Sequence, residues 1–182
     1  APVQWAIING EKTTGVTTFL LNESVDAGSI LLQKSCPIPP LCTSGELFSL
    51  LQPLSTQIAL ETCLGLLNKT LRPIPQDATQ ATPAPKLFSS SLEINWNQTA
   101  ETIARLINGT SPFPGAWSMM NNVRIKFLRA TTSSNFRCNV GEYIINPDAI
   151  YIGAGDSHLV KILELKPEGK TLMKPEDFYN GW

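Results

Sequence analysis

The stretch LRPIPQDATQATPAP, residues 71–85, sets the organisation of the chain. Four of its residues are prolines: Pro73, Pro75, Pro83 and Pro85. Because proline fixes its own φ and lacks a backbone donor, and because the stretch has no apolar periodicity, it favours a semi-extended connection over a helix or a central strand. We therefore predict a linker at residues 71–85 that joins a first domain, residues 1–70, to a second domain, residues 86–182.

The first domain is predicted to combine helix and strand. The segment VQWAIIN, residues 3–9, suits the end of a helix with Gly10 as its C-cap. The β-branched run TGVTTFLL, residues 14–21, predicts a strand, and ILLQKS, residues 30–35, predicts a second. Between them, NESVDAGS at residues 22–29 is rich in turn formers, so we expect a loop there.

A long helix is predicted to close the first domain. Thr43 and Glu46 fit a capping box, in which each side chain satisfies a free backbone N–H of the first turn. An apolar stripe follows at Leu47, Leu50, Leu51, Leu54 and Ile58. The helix should extend to about Leu67, and Pro53 should kink or split it, because proline removes a donor and crowds the carbonyl four residues earlier.

The second domain is predicted to hold one short helix and several strands. The helix should begin after Thr99, and Gly, Asn and Pro turns separate the β-rich runs that follow. In VRIKFLR, residues 123–129, apolar residues alternate with Arg124 and Lys126, so strand geometry aims both cations away from the buried face. HLVKILELK, residues 158–166, alternates less regularly and predicts a strand with a bulge or two buried faces. This pattern suggests a small β-barrel.

Composition narrows the class of protein. The 182 residues carry a net charge of −1, and no apolar run or leader-like start indicates a membrane span or a signal peptide, so we expect a cytoplasmic protein that does not contact a membrane. The four cysteines show no paired spacing and there is one histidine, so we expect no metal site. An amphipathic segment begins at once at Ala1, so we also expect a piece of a longer protein.

Five segments, in this order and spacing, resemble methionyl-tRNA formyltransferases. They are APVQWAIINGEKTTGVT, VDAGSILLQ, QDATQATPAPKL, SPFPGAW and LELKPEGKTLMKPEDFYNG. The resemblance implies an α/β plus β architecture: the C-terminal part of a Rossmann-like formyltransferase domain, a linker and an OB-like barrel domain. It also implies transfer of a formyl group from 10-formyltetrahydrofolate to the methionine carried by initiator tRNA, a step in translation initiation.

The resemblance assigns one catalytic residue, Asp26 in the predicted loop. The family pairs this Asp with an Asn and a His that have no counterpart in this sequence, whose one histidine, His158, falls in the second domain. We therefore expect the chain to be inactive unless the missing N-terminal segment is supplied. An incomplete Rossmann-like sheet would also leave an open edge, with which a second copy of the chain could pair. Val25, Ala27 and Gly28 are expected, by the same resemblance, to line the folate pocket. From composition alone, Asp26 is better explained as a loop-capping residue.

Candidate tRNA-binding residues follow from charge. They are Lys86, Arg124, Lys126 and Arg129. Clustered cations attract phosphate, although ordinary solvated charges explain the same pattern equally well. The aromatic residues Phe113 and Trp117 could stack on bases, but a place in the core is the commoner outcome for such residues and is the one we expect.

Other functions fit parts of the pattern. A non-catalytic tRNA-binding module would retain the second domain without turnover. A formyltransferase acting on a nucleotide-linked amino sugar, or a formyltetrahydrofolate hydrolase module, would share the loop around Asp26. The segment PEGKTLMKPEDF, residues 167–178, favours the tRNA enzyme over both.

Overall fold

The structure is a computed structural model that describes residues 1–181. Its elements, in chain order, are α1 (Pro2–Ile8), β1 (Thr13–Phe19), β2 (Ile30–Pro37), α2 (Ser44–Leu67), α3 (Ala100–Thr110), β3 (Ala116–Met120), β4 (Val123–Ser133), β5 (Tyr143–Asn146), β6 (Ala149–Gly153), β7 (Leu159–Pro167) and α4 (Pro175–Gly181). The strands form a two-stranded sheet before the predicted linker and a five-stranded sheet after it. The mixture of helices and strands agrees with the predicted α/β plus β class.

The elements before the linker pack around α2. Strands β1 and β2 pair antiparallel, and α2 packs across them. Leu47, Leu51 and Ile58 are buried, which confirms one apolar face on the helix, but Leu50 of the predicted stripe is 45% exposed. The first core is therefore small, because a two-stranded sheet covers only part of the apolar surface of a 24-residue helix.

The start of α2 confirms the capping box. Thr43 and Glu46 exchange the predicted side-chain to backbone bonds, at 3.3 Å to the amide of Glu46 and 2.8 Å to the amide of Thr43. The helix then runs to Leu67 without a break, so Pro53 does not split it. Of the two predicted outcomes, a kink or a split, the split is absent, because packing of α2 against β1 and β2 outweighs the loss of one backbone hydrogen bond.

The second sheet is antiparallel with strand order β3-β4-β7-β6-β5. Helix α3 covers one face, where Ile103 and Ile107 pack against Ile125, Phe127 and Ile162. No pairing joins the outer strands β3 and β5 within residues 1–181, so the closed form of the predicted OB-like barrel is not confirmed.

A bulge bends the centre of this sheet. The pairing of β4 with β7 shifts register around Arg129, which confirms the irregularity predicted for residues 158–166. The side chain of Asn108 on α3 donates to the Ala130 carbonyl at 2.9 Å and accepts from the Ala130 amide at 3.0 Å. Both residues are buried, so one side chain satisfies the two backbone groups of Ala130.

The two sets of elements contact each other directly. The Ser44 hydroxyl donates to the Ser111 carbonyl at 2.6 Å, and a Cβ on Gly109 would lie 2.6 Å from Ile8, so α1 and α3 approach closely. The guanidinium of Arg129 pairs with Glu46 at 2.5 Å. This ion pair therefore links the start of α2 to the bulged strand.

We predict that Asn108→Ala lowers the free energy of unfolding by about 2–5 kcal/mol, because it leaves a buried N–H and a buried C=O of Ala130 without partners. Urea denaturation measures this change. Asn97→Ala is the matched control, since its side chain is exposed and contacts Asn95. Equal, small losses in both variants would show that the bulge does not depend on Asn108.

A second prediction concerns acid stability. The side-chain hydrogen bond from Arg129 is the main reason that the pKa of Glu46 is lowered. Stability from this pairing is therefore present above the ordinary carboxyl pKa and is lost as pH falls through the lowered value. Glu46→Gln should flatten the pH dependence of urea midpoints in the acid range, and added salt should shrink the difference because both side chains are partly exposed.

The matched control for this measurement is Glu23→Gln. Glu23 is exposed and forms no ion pair within the part of the chain that the structure describes. Its substitution should leave the acid limb of the stability curve unchanged. Parallel curves for the parent and Glu46→Gln would disprove a role for the ion pair.

Candidate functional site

The loop that carries Asp26 joins β1 to β2 and is closed at its neck. The Leu20 amide donates to the Ser29 carbonyl at 2.9 Å, which brings the two ends of the loop together. A Cβ on Gly28 would lie 1.5 Å from the Leu20 carbonyl oxygen, so only glycine fits at this crossing. The predicted loop is confirmed, and its two ends meet at this crossing.

Asp26 lies at the outer end of this loop. Its φ of 55° is in the left-handed region, which Asp tolerates better than most residues. Its side chain is exposed and forms no hydrogen bond or ion pair with the rest of residues 1–181. Val25 is 90% exposed and Ala27 is exposed, whereas Gly28 is buried. The carboxylate is thus available to a group outside the described chain.

Gln76 contacts the loop from the predicted linker. Its side-chain nitrogen donates to the Asp26 carbonyl at 2.9 Å and to the Gly28 carbonyl at 2.6 Å. Two residues earlier, Ile74 exchanges two backbone hydrogen bonds with Ile30 at the start of β2. Sequence reasoning missed Gln76 because its partners are 48 and 50 residues away; the available signal was its position at the start of QDATQATPAPKL.

The single histidine, His158, contacts Asp156 and makes no contact with the Asp26 loop within residues 1–181. His158 lies on the turn between β6 and β7, where its ring Nδ1 is 3.1 Å from the Asp156 carbonyl oxygen. Among residues 1–181, no group of three or more His, Cys, Asp and Glu side chains is arranged to hold a metal ion. None of the helices in that range is both long and apolar enough to cross a membrane.

A second feature is a basic groove on the outer face of the second sheet. A cavity of about 610 Å³ is lined by Arg124, Lys126 and Lys166, together with the exposed ring of Phe113 and the carboxylate residue Glu168. Lys126 and Lys166 are directly opposite each other on β4 and β7. The structure thus places two of the predicted cations together and adds Lys166, which sequence reasoning missed because cross-strand register is not visible in one segment.

Arg124 is held rigidly in this groove. Its guanidinium lies 3.9 Å from the ring centroid of Trp117, and Nη2 is 3.2 Å from the Ser89 hydroxyl. The buried Nε has no hydrogen-bond partner within the described residues. Lys126 donates to the Pro114 carbonyl at 2.9 Å. Trp117 therefore serves as a platform for Arg124, and its own indole N–H donates to the Ser89 carbonyl.

The other two predicted cations lie outside the groove lining. Lys86 is exposed at the end of the linker, with Nζ 5.3 Å from the ring centroid of Phe88. Arg129 bonds to Glu46, to Glu164 at 3.2 Å and to the Leu41 carbonyl at 3.2 Å. Its side chain is therefore occupied by acceptors from both sets of elements.

Sequence comparison identifies relatives over the whole chain. The methionyl-tRNA formyltransferase of Acidobacterium capsulatum is 35% identical across 100% of this chain and 58% of its own length. The enzyme of the same name from Desulfotalea psychrophila is 37% identical across 100% of this chain and 56% of its own length. The chain thus spans less than two thirds of the curated relatives it matches.

Structural comparison agrees in fold. HypX from Aquifex aeolicus, solved in complex with tetrahydrofolic acid, superposes with a TM-score of 0.73 at 21% identity, covering 98% of this chain and 32% of that protein. The family described as "Formyl transferase" matches residues 1–62, and "Formyl transferase, C-terminal domain" matches residues 86–182. With both of these parts present in one polypeptide, on either side of the proline-rich stretch, the chain belongs to the formyl transferase family.

Proposed function

We propose that the chain acts in formylation of methionyl-tRNA, with 10-formyltetrahydrofolate as the formyl donor and methionyl initiator tRNA as the acceptor. One observation carries this proposal: curated methionyl-tRNA formyltransferases are 35% and 37% identical to the chain along its entire length. In this assignment residues 1–70 are the C-terminal part of a Rossmann-like formyltransferase domain, residues 71–85 are a linker, and residues 86–182 are an OB-like domain left open between its outer strands.

The chemistry explains the need for a carboxylate at Asp26. The methionyl α-amino nitrogen attacks the formyl carbon, a C–N bond forms, and the bond from that carbon to the folate nitrogen breaks. The proton lost by the attacking amine passes to the folate nitrogen. We propose that Asp26 balances the charge of this transfer or orients the group that relays the proton, and that Val25, Ala27 and Gly28 border the folate.

The remaining catalytic groups must come from elsewhere. Negative charge builds on the formyl oxygen during attack and requires fixed hydrogen-bond donors. The single histidine, His158, is held by Asp156 in the second sheet and makes no contact with the Asp26 loop. We propose that an Asn and a His on additional polypeptide complete the site, in keeping with the 58% share of the relative's length that this chain spans.

The basic groove supports the tRNA part of the proposal. Lys126 and Lys166 face each other across two strands, and no acidic side chain pairs with either within residues 1–181. The two like charges repel each other in the free protein, and a bound polyanion would reduce this repulsion. The 76%-exposed ring of Phe113 adds an apolar surface on which a base can stack. We therefore assign phosphate contacts to Arg124, Lys126 and Lys166.

Lys86 and Arg129 differ in how accessible their charged groups are to tRNA. Lys86 is free to reach a phosphate beside the linker. Arg129 already has three acceptors, so any phosphate contact must compete with Glu46 and Glu164. We propose that Lys86 contacts tRNA directly and that Arg129 contributes mainly by fixing the strand.

A formylation assay tests the function. The purified chain is assayed alone and together with the N-terminal segment of a homologous methionyl-tRNA formyltransferase, using methionyl initiator tRNA and 10-formyltetrahydrofolate. We expect formyl-methionyl-tRNA only from the mixture. Binding of initiator tRNA without turnover in the mixture would indicate a non-catalytic module, and turnover of a nucleotide-linked amino sugar instead would indicate the other formyltransferase class.

We predict that Asp26→Ala in the reconstituted enzyme reduces kcat by at least about 100-fold while tRNA affinity stays within about 2-fold, because the carboxylate acts on the reacting groups and not on the phosphates. Steady-state formylation and filter binding measure the two effects. Glu23→Ala, a neighbouring exposed carboxylate, is the control and should be neutral. A near-normal rate for Asp26→Ala would remove it from the mechanism.

We also predict that replacing Arg124 and Lys126 together with Ala weakens tRNA binding and lowers the slope of log affinity against log salt by about 1–2, because each cation releases roughly one counterion. Titrations at several salt concentrations measure the slope. Lys161→Ala, on the same sheet beside Tyr151, is the control. An unchanged slope in the double variant would make these residues ordinary surface charges.

A further inference from the structure

The amide of Gln76 makes a two-pronged contact with the loop that carries Asp26. Its two hydrogens are donated to two carbonyls of the same turn, those of Asp26 and Gly28, at 2.9 and 2.6 Å. Both partners are acceptors, so only the NH₂ end of the side chain can face them, and the orientation of the amide is not ambiguous. The contact therefore holds the two residues on either side of Ala27 from one point.

The loop depends on this contact because it has few other supports. The neck is closed by the bond from Leu20 to Ser29, and Ser24 bonds to the side chain of Asn22 at 3.0 Å. Within residues 1–181, Asp26 accepts a single hydrogen bond, from Gln76 to its carbonyl. Asp26 has a left-handed φ, which is less populated than the helical or extended regions even for Asp, and the bond from Gln76 helps to hold it there.

Gln76 is itself fixed on both sides. Upstream, Ile74 and Ile30 exchange backbone bonds of 2.7 and 2.9 Å. Downstream, the side chain of Asp77 accepts from the Thr79 amide at 3.0 Å and begins a short 3₁₀ turn, Ala78–Gln80. The donor is thus presented by a rigid strand-to-turn segment, although it lies in a stretch whose composition resembles a loose linker.

We propose that Gln76 is a positioning residue for Asp26: it holds the loop backbone so that the carboxylate is aimed at the reacting groups. This inference rests on the proposed function for its catalytic consequence, but the mechanical part concerns the chain alone. It also means that the segment leading to the second domain supports the active-site loop. An error of about 1 Å in a catalytic group is enough to reduce turnover strongly without changing substrate binding.

The mechanical part is tested on the purified chain. Gln76→Glu keeps the size of the side chain but removes both donors, and Gln76→Ala removes the contact altogether. We expect faster backbone amide exchange in peptides that cover residues 20–30 for both variants, with exchange in β6 and β7 unchanged. Exchange in residues 20–30 that matches the parent would overturn the proposal.

The control is Gln80→Glu with Gln80→Ala. Gln80 is an exposed glutamine of the same segment whose amide donates to Asp77 at 2.8 Å and does not contact the loop. These variants should leave exchange in residues 20–30 at the parent rate. If both glutamines have the same effect, the linker acts as a whole and Gln76 has no particular role.

The catalytic consequence is tested in the reconstituted enzyme. Both Gln76 variants should reduce kcat by about 10- to 100-fold with KM for methionyl-tRNA within about 2-fold, and Gln80 variants should stay near the parent. A rise in KM alone would show a structural role in substrate binding and overturn the positioning role. If the parent mixture does not formylate at all, the proposed function fails, while the exchange measurement still decides whether Gln76 holds the loop.

Discussion

The position of the proline-rich segment against the Asp26 loop depends on the pair of backbone hydrogen bonds between Ile30 and Ile74. These bonds attach the segment after α2 to the start of β2. The segment therefore runs alongside the Asp26 loop before it continues toward the second sheet. Gln76 reaches the loop because Ile74 is fixed in this way. The proline-rich segment is therefore structural over its first half, and its composition, which excludes a helix, suits an added strand edge that needs few donors.

The carboxylate of Glu46 takes part in two interactions, one within its own helix and one between the two sets of elements. Glu46 satisfies the first turn of α2 and also pairs with Arg129 at the bulge of β4. The bulge is in turn stabilised by Asn108 from α3. The first turn of α2 is thus connected through the ion pair to the bulge of β4. This connection fixes the second sheet, and the basic groove on it, relative to the first sheet.

Much of the architecture could be predicted because its signals are local. Three predicted features depend on neighbours within a few residues, and all three are present. They are the capping box at Thr43 and Glu46, the alternation that puts Arg124 and Lys126 on the outer face of β4, and the loop around Gly28. Pro53 does not split α2, because tertiary packing of the helix outweighs the local cost of one missing backbone hydrogen bond. The closed barrel was not confirmed because closure depends on pairing between distant strands, which leaves no local signal.

The site was less predictable for the same physical reason. The contacts that the sequence did not reveal join partners at least 35 residues apart. Gln76 bonds to the Asp26 loop, Lys166 faces Lys126, and Arg129 pairs with Glu46 and Glu164. The catalytic role proposed for Asp26 comes from resemblance to a family, because an exposed carboxylate on a turn carries no local signal of catalysis. Residues whose roles arise from register or from a crossing of two segments become visible only in three dimensions.

The facing pair Lys126 and Lys166 has a consequence for how such a surface evolves. Replacing Lys166 with a neutral β-branched residue would remove repulsion and suit the strand better, so selection for heat resistance alone would eliminate the pair. In the proposed function, the facing lysines lower the stability of the free protein and strengthen its attraction to an anionic partner. Variants selected only for thermostability should therefore replace one of the two lysines, and these variants should bind polyanions more weakly.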